Sequence, residues 1–179
     1  MSVGKNKRWI GRSQASVFKQ TYPTVLLKRT DEIGLQQMHI MNELAKEAKT
    51  KFIGFIGSDD WLHPQYTETL MEIWKYKSSF PISGEMILSV ASYVFLVKDD
   101  KPFGLLERLS GSGGIFDKEL FIKLGGFDEL PMGGDETFLK RAREMGYHTL
   151  CVPKPLYFYR LHVGQVSKTE IDLKRFGIE

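Results

Sequence analysis

Residues Phe52–Pro64 read FIGFIGSDDWLHP, and the change of character within them decides the expected fold. Phe52–Ile56 is a continuous apolar run, the pattern of a strand buried on both faces. It breaks at Gly57-Ser58 into two adjacent carboxylates, Asp59 and Asp60, and Pro64 then stands where a helix accepts its first residue. Upstream, residues 33–48 place Met38, Met41, Leu44, Ala45 and Ala48 at spacings of three and four, which is one face of a helix. Earlier still, TVLLKR (24–29) has the composition of a short strand, and Trp9 to Lys19 carries a helix-compatible pattern that stops before Tyr22-Pro23. A strand, a helix and a second strand in that order predict a right-handed crossover between parallel strands. The expected class is an α/β sheet.

Downstream of Pro64, Tyr66, Leu70, Ile73 and Trp74 recur at helical spacing. Residues 85–97 are rich in β-branched and aromatic side chains, and KDDKP followed by a run to Leu106 predicts a hairpin, which makes the sheet mixed. SGSGG (110–114) reads as a Gly-rich loop. Asp117 can cap a helix through Leu124 that Gly125-Gly126 stops. A second glycine pair, Gly133-Gly134, precedes a helix from Asp135 to Met145, and TLCV (149–152) and LYFYRL (156–161) read as two further strands. No repeat, low-complexity tract or linker divides the chain, so residues 1–179 are expected to form a single domain.

Hydrophobic residues make up 42% and charged residues 26% of the 179, which argues against both a disordered and a fibrous chain. The apolar runs fall far short of the roughly 20 residues that span a bilayer, and no secretory leader opens the sequence; a soluble, cytoplasmic protein without a membrane span is expected. Cys151 stands alone, which excludes an internal disulfide and leaves too few sulfurs for a Cys/His zinc cluster. The net charge of +3 is uneven: residues 1–30 hold seven basic side chains and no acid, and the remaining 149 carry a net of −4. A basic end of this kind attracts an anionic partner, either nucleic acid or a phosphate-bearing small molecule, or else serves as a solvated face.

Four places could carry chemistry. Asp59 and Asp60 end the most buried-looking strand, and ligands of open α/β sheets gather outside such carboxyl ends. Adjacent carboxylates repel, and Mg²⁺ or Mn²⁺ shared with a diphosphate would relieve that repulsion; the alternative is an Asp-rich turn capping the next helix. Asp99-Asp100, flanked by lysines in a hairpin turn, reads as turn chemistry alone. Asp135, opening a helix after a glycine pair, is either an N-cap or a base aimed into a cleft. His162 closes the aromatic strand YFYRLH, where a lone histidine is more often a satisfied side chain than a ligand.

Read in order, FIGFIGSDDWLHP, GSGGIFDKELFIKLGGFDE, GGDETFLKRAREMGY and VPKPLYFYRLHVGQVS, with SVFKQTYP near the N-terminus, together resemble the family 2 glycosyltransferases of the GT-A fold, over roughly residues 9–167. The resemblance implies a nucleotide-diphosphosugar donor, with a UDP-sugar the best reading, an acceptor hydroxyl on a saccharide, lipid-linked sugar or protein, and an inverting, metal-dependent transfer. By the same resemblance Asp59, Asp60 and His162 would hold Mn²⁺ or Mg²⁺, and Asp135 would be the catalytic base with Arg141 supporting its helix. Asp31, Lys5, Arg8 and Ser58 would serve the donor, and Gly113, Gly114 and Trp61 the acceptor side. A homo-oligomer is compatible with this reading.

The chain departs from the family pattern at three points. Gly57 stands where an acid usually begins the aspartate motif, Gly134 replaces the glutamate before Asp135, and SVGKNKR replaces the opening apolar strand and its base-binding phrase. These departures motivate the main alternative, a degenerate member that binds nucleotide or sugar without transfer. A basic nucleic-acid-binding protein is the third reading, supported only by the N-terminal charge.

Overall fold

A computed structural model of the chain describes residues 1–3, 8–30, 37–76, 86–106, 113–130 and 133–162. The elements follow the order β1 (Ser2–Val3), α1 (Ile10–Phe18), β2 (Arg29–Thr30), α2 (Gln37–Glu47), β3 (Phe52–Gly54), β4 (Trp61–Leu62) and α3 (Tyr66–Tyr76). There follow β5 (Met86–Lys98), β6 (Lys101–Leu106), β7 (Gly114–Asp117), α4 (Lys118–Lys123), α5 (Gly134–Glu144) and β8 (Tyr147–Arg160). The main sheet has the order β3-β7-β5-β8-β4, with β6 added to β5, and β1 pairs with β2 in a small separate sheet. Within the main sheet β5 and β8 run parallel and the other pairs antiparallel. The sheet is mixed, as the hairpin predicted.

The helices formed where apolar residues recur at helical spacing. Asp117 caps α4 as expected, its carboxylate accepting from the Leu120 amide at 3.2 Å. The strands differ more from expectation. Of TVLLKR only Arg29 is in a strand, joining Thr30 in β2, which pairs in parallel with β1 and not with β3; the crossover unit is therefore β1–α1–β2. β3 instead lies antiparallel to β7, a four-residue strand, GIFD, too short to show a period in sequence. FIGFI pairs only to Gly54, although Phe55 and Ile56 stay buried. TLCV and LYFYRL belong to one long strand, β8, whose register against β5 shifts near Pro153 and Pro155. Proline has no amide to give to a ladder, so it marks such irregularities.

Alternation along the sheet separates two layers of core. On β7, Ile115 joins Val17, Leu70, Trp74 and Tyr157, which places α1 and α3 on one face. Its neighbour Phe116 joins Met41, Phe121, Phe127 and Phe138, which places α2, α4 and α5 on the other. The second cluster is largely aromatic, with Phe121 and Phe138 each edge-on to Phe127, the orientation ring quadrupoles favour. Two features of the sheet then build the site. The register of β4 on β8 pairs Trp61 with Phe158, and the parallel register of β5 on β8 sets Val97 opposite Arg160. The first carries Asp59-Asp60 to the end of β8; the second brings the Asp99-Asp100 turn to the same place.

Candidate functional site

Beyond Gly54 the chain crosses from β3 to β4 through Phe55–Asp60, and the two carboxylates of that loop meet different environments. Asp60 is 4% exposed. Its Oδ2 accepts from the Tyr157 hydroxyl at 2.7 Å and its Oδ1 from the Arg160 amide at 2.9 Å. Asp59 is partly open, with 27% of its side chain exposed, and its Oδ2 lies 2.9 Å from Nε2 of His162. A Cβ at Gly57 would sit 2.8 Å from Asp59 Oδ1 and 2.8 Å from Asp60 Oδ2. Both carboxylates thus turn back over Gly57, which leaves no room for an acidic side chain there unless the loop shifts. The Gly57 carbonyl is held from behind by the buried Ser13 hydroxyl at 2.9 Å.

Arg160 ties this loop to the rest of the fold. Its side chain is 4% exposed; Nε donates to the Asp59 carbonyl at 2.9 Å, and one terminal nitrogen donates to Asp100 Oδ1. The guanidinium lies over the rings of Trp9 and Trp61, 4.9 and 4.8 Å from their centroids. The other terminal nitrogen is buried without a hydrogen-bond partner among the described residues. Arg12, from α1, reaches the same Asp100 oxygen at 2.7 Å while its guanidinium sits 3.7 Å from the Trp61 centroid. Trp9 also meets the His162 ring at 4.3 Å.

Burial, reinforced by the adjacent Asp59 charge, raises the Asp60 carboxyl well above the usual carboxylate value, even though Arg160 and Tyr157 both oppose the shift. Burial, with Asp60 as neighbour, likewise raises the Tyr157 phenol. Asp100 moves the other way: the hydrogen bond from Arg160, with the positive charges of Arg160 and Arg12, holds it below its ordinary value despite some desolvation.

The residues expected from sequence are thus partly assembled. Asp59, Asp60 and His162 converge. Ser58 is half-buried on the same loop, and Trp61 is buried, stacked on Phe158 with an interplanar angle of 6°. Arg8 is exposed, its guanidinium 5.0 Å from the Trp9 centroid. Gly113 is buried, its carbonyl accepting from the Tyr66 hydroxyl at 3.0 Å, and Gly114 begins β7 against the Val90 carbonyl. Asp31 and Lys5 lie outside the described residues.

Asp135 sits in the first turn of α5 behind Gly133, whose φ of 77° is left-handed. It is 8% exposed, and among the described residues nothing donates a hydrogen bond to its carboxylate. Arg141 is occupied structurally: it pairs with Asp128 at 2.5 Å and donates to the Gly126 and Leu124 carbonyls, fastening α5 to the end of α4. Sequence reading missed Arg160, Arg12, Trp9 and Tyr157, and assigned Asp100 to turn chemistry alone. Arg160 does carry a signal, since it precedes His162 by two residues, one strand period, at the end of an aromatic strand.

The fit of a divalent cation follows from the donors available. Among the described residues no group of three or more His, Cys, Asp or Glu is arranged to hold a metal. Both Asp60 oxygens already accept hydrogen bonds and the side chain is closed to solvent, so a cation would reach their remaining lone pairs only if the loop opened. A cation bound mainly through phosphates and water needs only one or two protein carboxylates, and Asp59, with His162 beside it, is the one outward-facing candidate of the pair.

No protein-family model matches the chain. It is 26% identical over 147 residues to EpsH of Bacillus subtilis strain 168, a protein provisionally named as a glycosyltransferase, and spans 42% of that protein. Among solved structures, S. aureus TarS superimposes on 89% of this chain with a TM-score of 0.69 and 14% identity, the match covering 36% of the TarS chain. TarS residues 1–349 in complex with UDP-GlcNAc match 92% of this chain at a TM-score of 0.67 and 15% identity. The mannosyltransferase PcManGT from Pyrobaculum calidifontis, solved with GDP-Man and Mn²⁺, matches 88% at 0.61 and 14% identity. The fold is that of the GT-A glycosyltransferases, and the chain spans less than half of EpsH and little over half of the two ligand-bound structures.

Proposed function

We propose that this chain is a glycosyltransferase domain that binds a nucleotide-diphosphosugar at the Asp59–His162 end of the sheet and transfers its sugar to an acceptor hydroxyl with inversion. The observation that carries the reading is the 2.9 Å contact between Asp59 and His162. It joins two motifs far apart in sequence at the end of β3 and β8, where open α/β sheets bind ligands, in a fold whose solved neighbours include complexes with UDP-GlcNAc and GDP-Man. A UDP-sugar is the donor we favour. Asp59 and His162 would hold a divalent cation, which when bound supplies positive charge to the leaving diphosphate. Asp60 braces the loop from below through Tyr157 and Arg160. Arg12 and Arg160 supply positive charge on the same side, and Asp135 takes the proton of the acceptor hydroxyl as it attacks the anomeric carbon.

Transfer of sugar from labelled UDP-GlcNAc or GDP-mannose to water or an added acceptor, measured for wild type and Asp135→Asn, tests this. The variant keeps shape but cannot accept a proton, so donor binding persists while transfer falls by about 10²–10⁴. Near wild-type transfer would leave Asp135 without a catalytic role.

One observation favours a second reading, binding without transfer. A Cβ at Gly134 would lie 1.9 Å from the Asp128 carbonyl oxygen, so the glutamate expected before Asp135 has no place in this backbone. Tight donor binding with no transfer under any acceptor would support that reading.

A further inference from the structure

Asp99 and Asp100 have φ values of 50° and 63°, the only non-glycine residues with positive φ among those described. A left-handed backbone costs an L-residue on the order of 1–2 kcal/mol, and the tight hairpin turn it forms favours glycine at the second central position. The sequence nevertheless places aspartate there. The side chain explains the choice: Asp100 Oδ1 accepts from Arg12 at 2.7 Å and from Arg160, while Asp99 carries neither contact.

We propose that Asp100 is a positioning residue of the nucleotide site. By neutralising and orienting the buried Arg160, it fixes the two groups through which Arg160 grips the Asp59-Asp60 loop. Those groups are Nε, bonded to the Asp59 carbonyl, and the backbone amide, bonded to Asp60 Oδ1. His162, two residues further on, is placed against Asp59 by the same strand end. The hairpin turn thus reaches the site through its salt-bridged arginines, Arg160 above all, and touches no donor itself. Without Asp100, the Arg160 guanidinium stays enclosed between Trp9 and Trp61 with its charge uncompensated, and a buried unpaired cation rearranges or draws in water.

This inference rests on the functional reading above, and its test has an arm that does not. Asp99→Gly and Asp100→Gly both relieve backbone strain, so a residue serving only the turn predicts equal or higher melting temperatures and unchanged binding for both. Positioning predicts that Asp100→Gly alone weakens UDP binding by about tenfold, the usual effect of losing one charged hydrogen bond. Asp100→Asn, which keeps an acceptor and tolerates the left-handed backbone, should recover part of the loss. In parallel, the Arg160 amide should exchange its hydrogen faster in Asp100→Gly and not in Asp99→Gly. If UDP fails to bind wild type, the functional reading fails and the amide measurement alone decides. Unchanged Arg160 protection in Asp100→Gly, or tighter UDP binding by that variant, overturns the proposal; the second result would make Asp100 a competitor of the phosphates.

Discussion

Asp60 accepts from a tyrosine hydroxyl and a backbone amide in a place closed to solvent, whereas Asp59 keeps part of its carboxylate open beside His162. Substitutions should therefore separate them. Asp60→Ala leaves a buried hydroxyl and a buried amide without partners, at about 1–3 kcal/mol each, and should lower stability by several kcal/mol in denaturant melts. Asp60→Asn keeps an oxygen for the Arg160 amide and should cost much less. Asp59→Asn should leave stability nearly unchanged and weaken nucleotide binding. The pH dependence also has a sign for each residue. Asp100 and Asp128 are held below the ordinary value of 3.8, Asp100 chiefly by its bond from Arg160 and Asp128 chiefly by its bond from Thr137. Their contribution is present above that value and is lost as pH falls through the lowered ones. Asp60 is displaced upward by burial, so its contribution is complete below 3.8 and declines as pH rises through the folded-state value. Melting temperature against pH should accordingly show an acid limb that flattens in Asp128→Asn, while Asp60→Asn removes part of the decline on the alkaline side.

At the scale of elements, helix α5 is set by its neighbours more than by its own sequence. Arg141 pins it to Asp128 and to the end of α4, and Gly134 lets its first turn come within hydrogen-bond reach of the Asp128 amide. Gly134→Ala would press a methyl group into the Asp128 carbonyl; it should destabilise by about 1–3 kcal/mol, the cost of forcing atoms into packed space, and displace Asp135 with the helix. The loop ahead is anchored from α2 by Asn42, whose side chain both donates to and accepts from the Phe127 backbone. Helices of nine residues or more were legible because their periods repeat: Met41, Leu44 and Ala45 define α2 from sequence alone. Of the short strands, Phe52–Gly54 was legible in the apolar run FIGFI, whereas Trp61–Leu62 and Gly114–Asp117 were not, since nothing repeats in so short a span. The merging of two expected strands into β8 was hidden by Pro153 and Pro155, which read as breaks and proved to be irregularities in one ladder.

Across the whole molecule, the site draws together α1, the β3–β4 loop, the β5–β6 turn and the end of β8. Asp59, Asp60, Asp135 and His162 could be singled out as candidates because they stand at the ends of expected elements, and the family resemblance, more than their local pattern, gave them roles. That Arg12, Arg160 and Asp100 meet there could not be read, because their meeting depends on the packing of α1 and on the parallel register of β5 on β8, a pairing of distant segments that no local pattern records. No helix among the described residues is long and apolar enough to cross a membrane. The positive charge of residues 1–30 lies partly on α1, where Arg12 meets the site, which favours a small anionic ligand over an extended nucleic acid as the partner of that charge. The most direct test of donor binding is calorimetric titration of UDP-GlcNAc and GDP-mannose, with and without Mn²⁺, into wild type and Asp59→Asn. At least one donor should bind wild type and raise its melting temperature, with affinity reduced tenfold or more in Asp59→Asn. Failure of both donors to bind under either condition, or binding indifferent to Asp59→Asn, would contradict a nucleotide-sugar site at this end of the sheet.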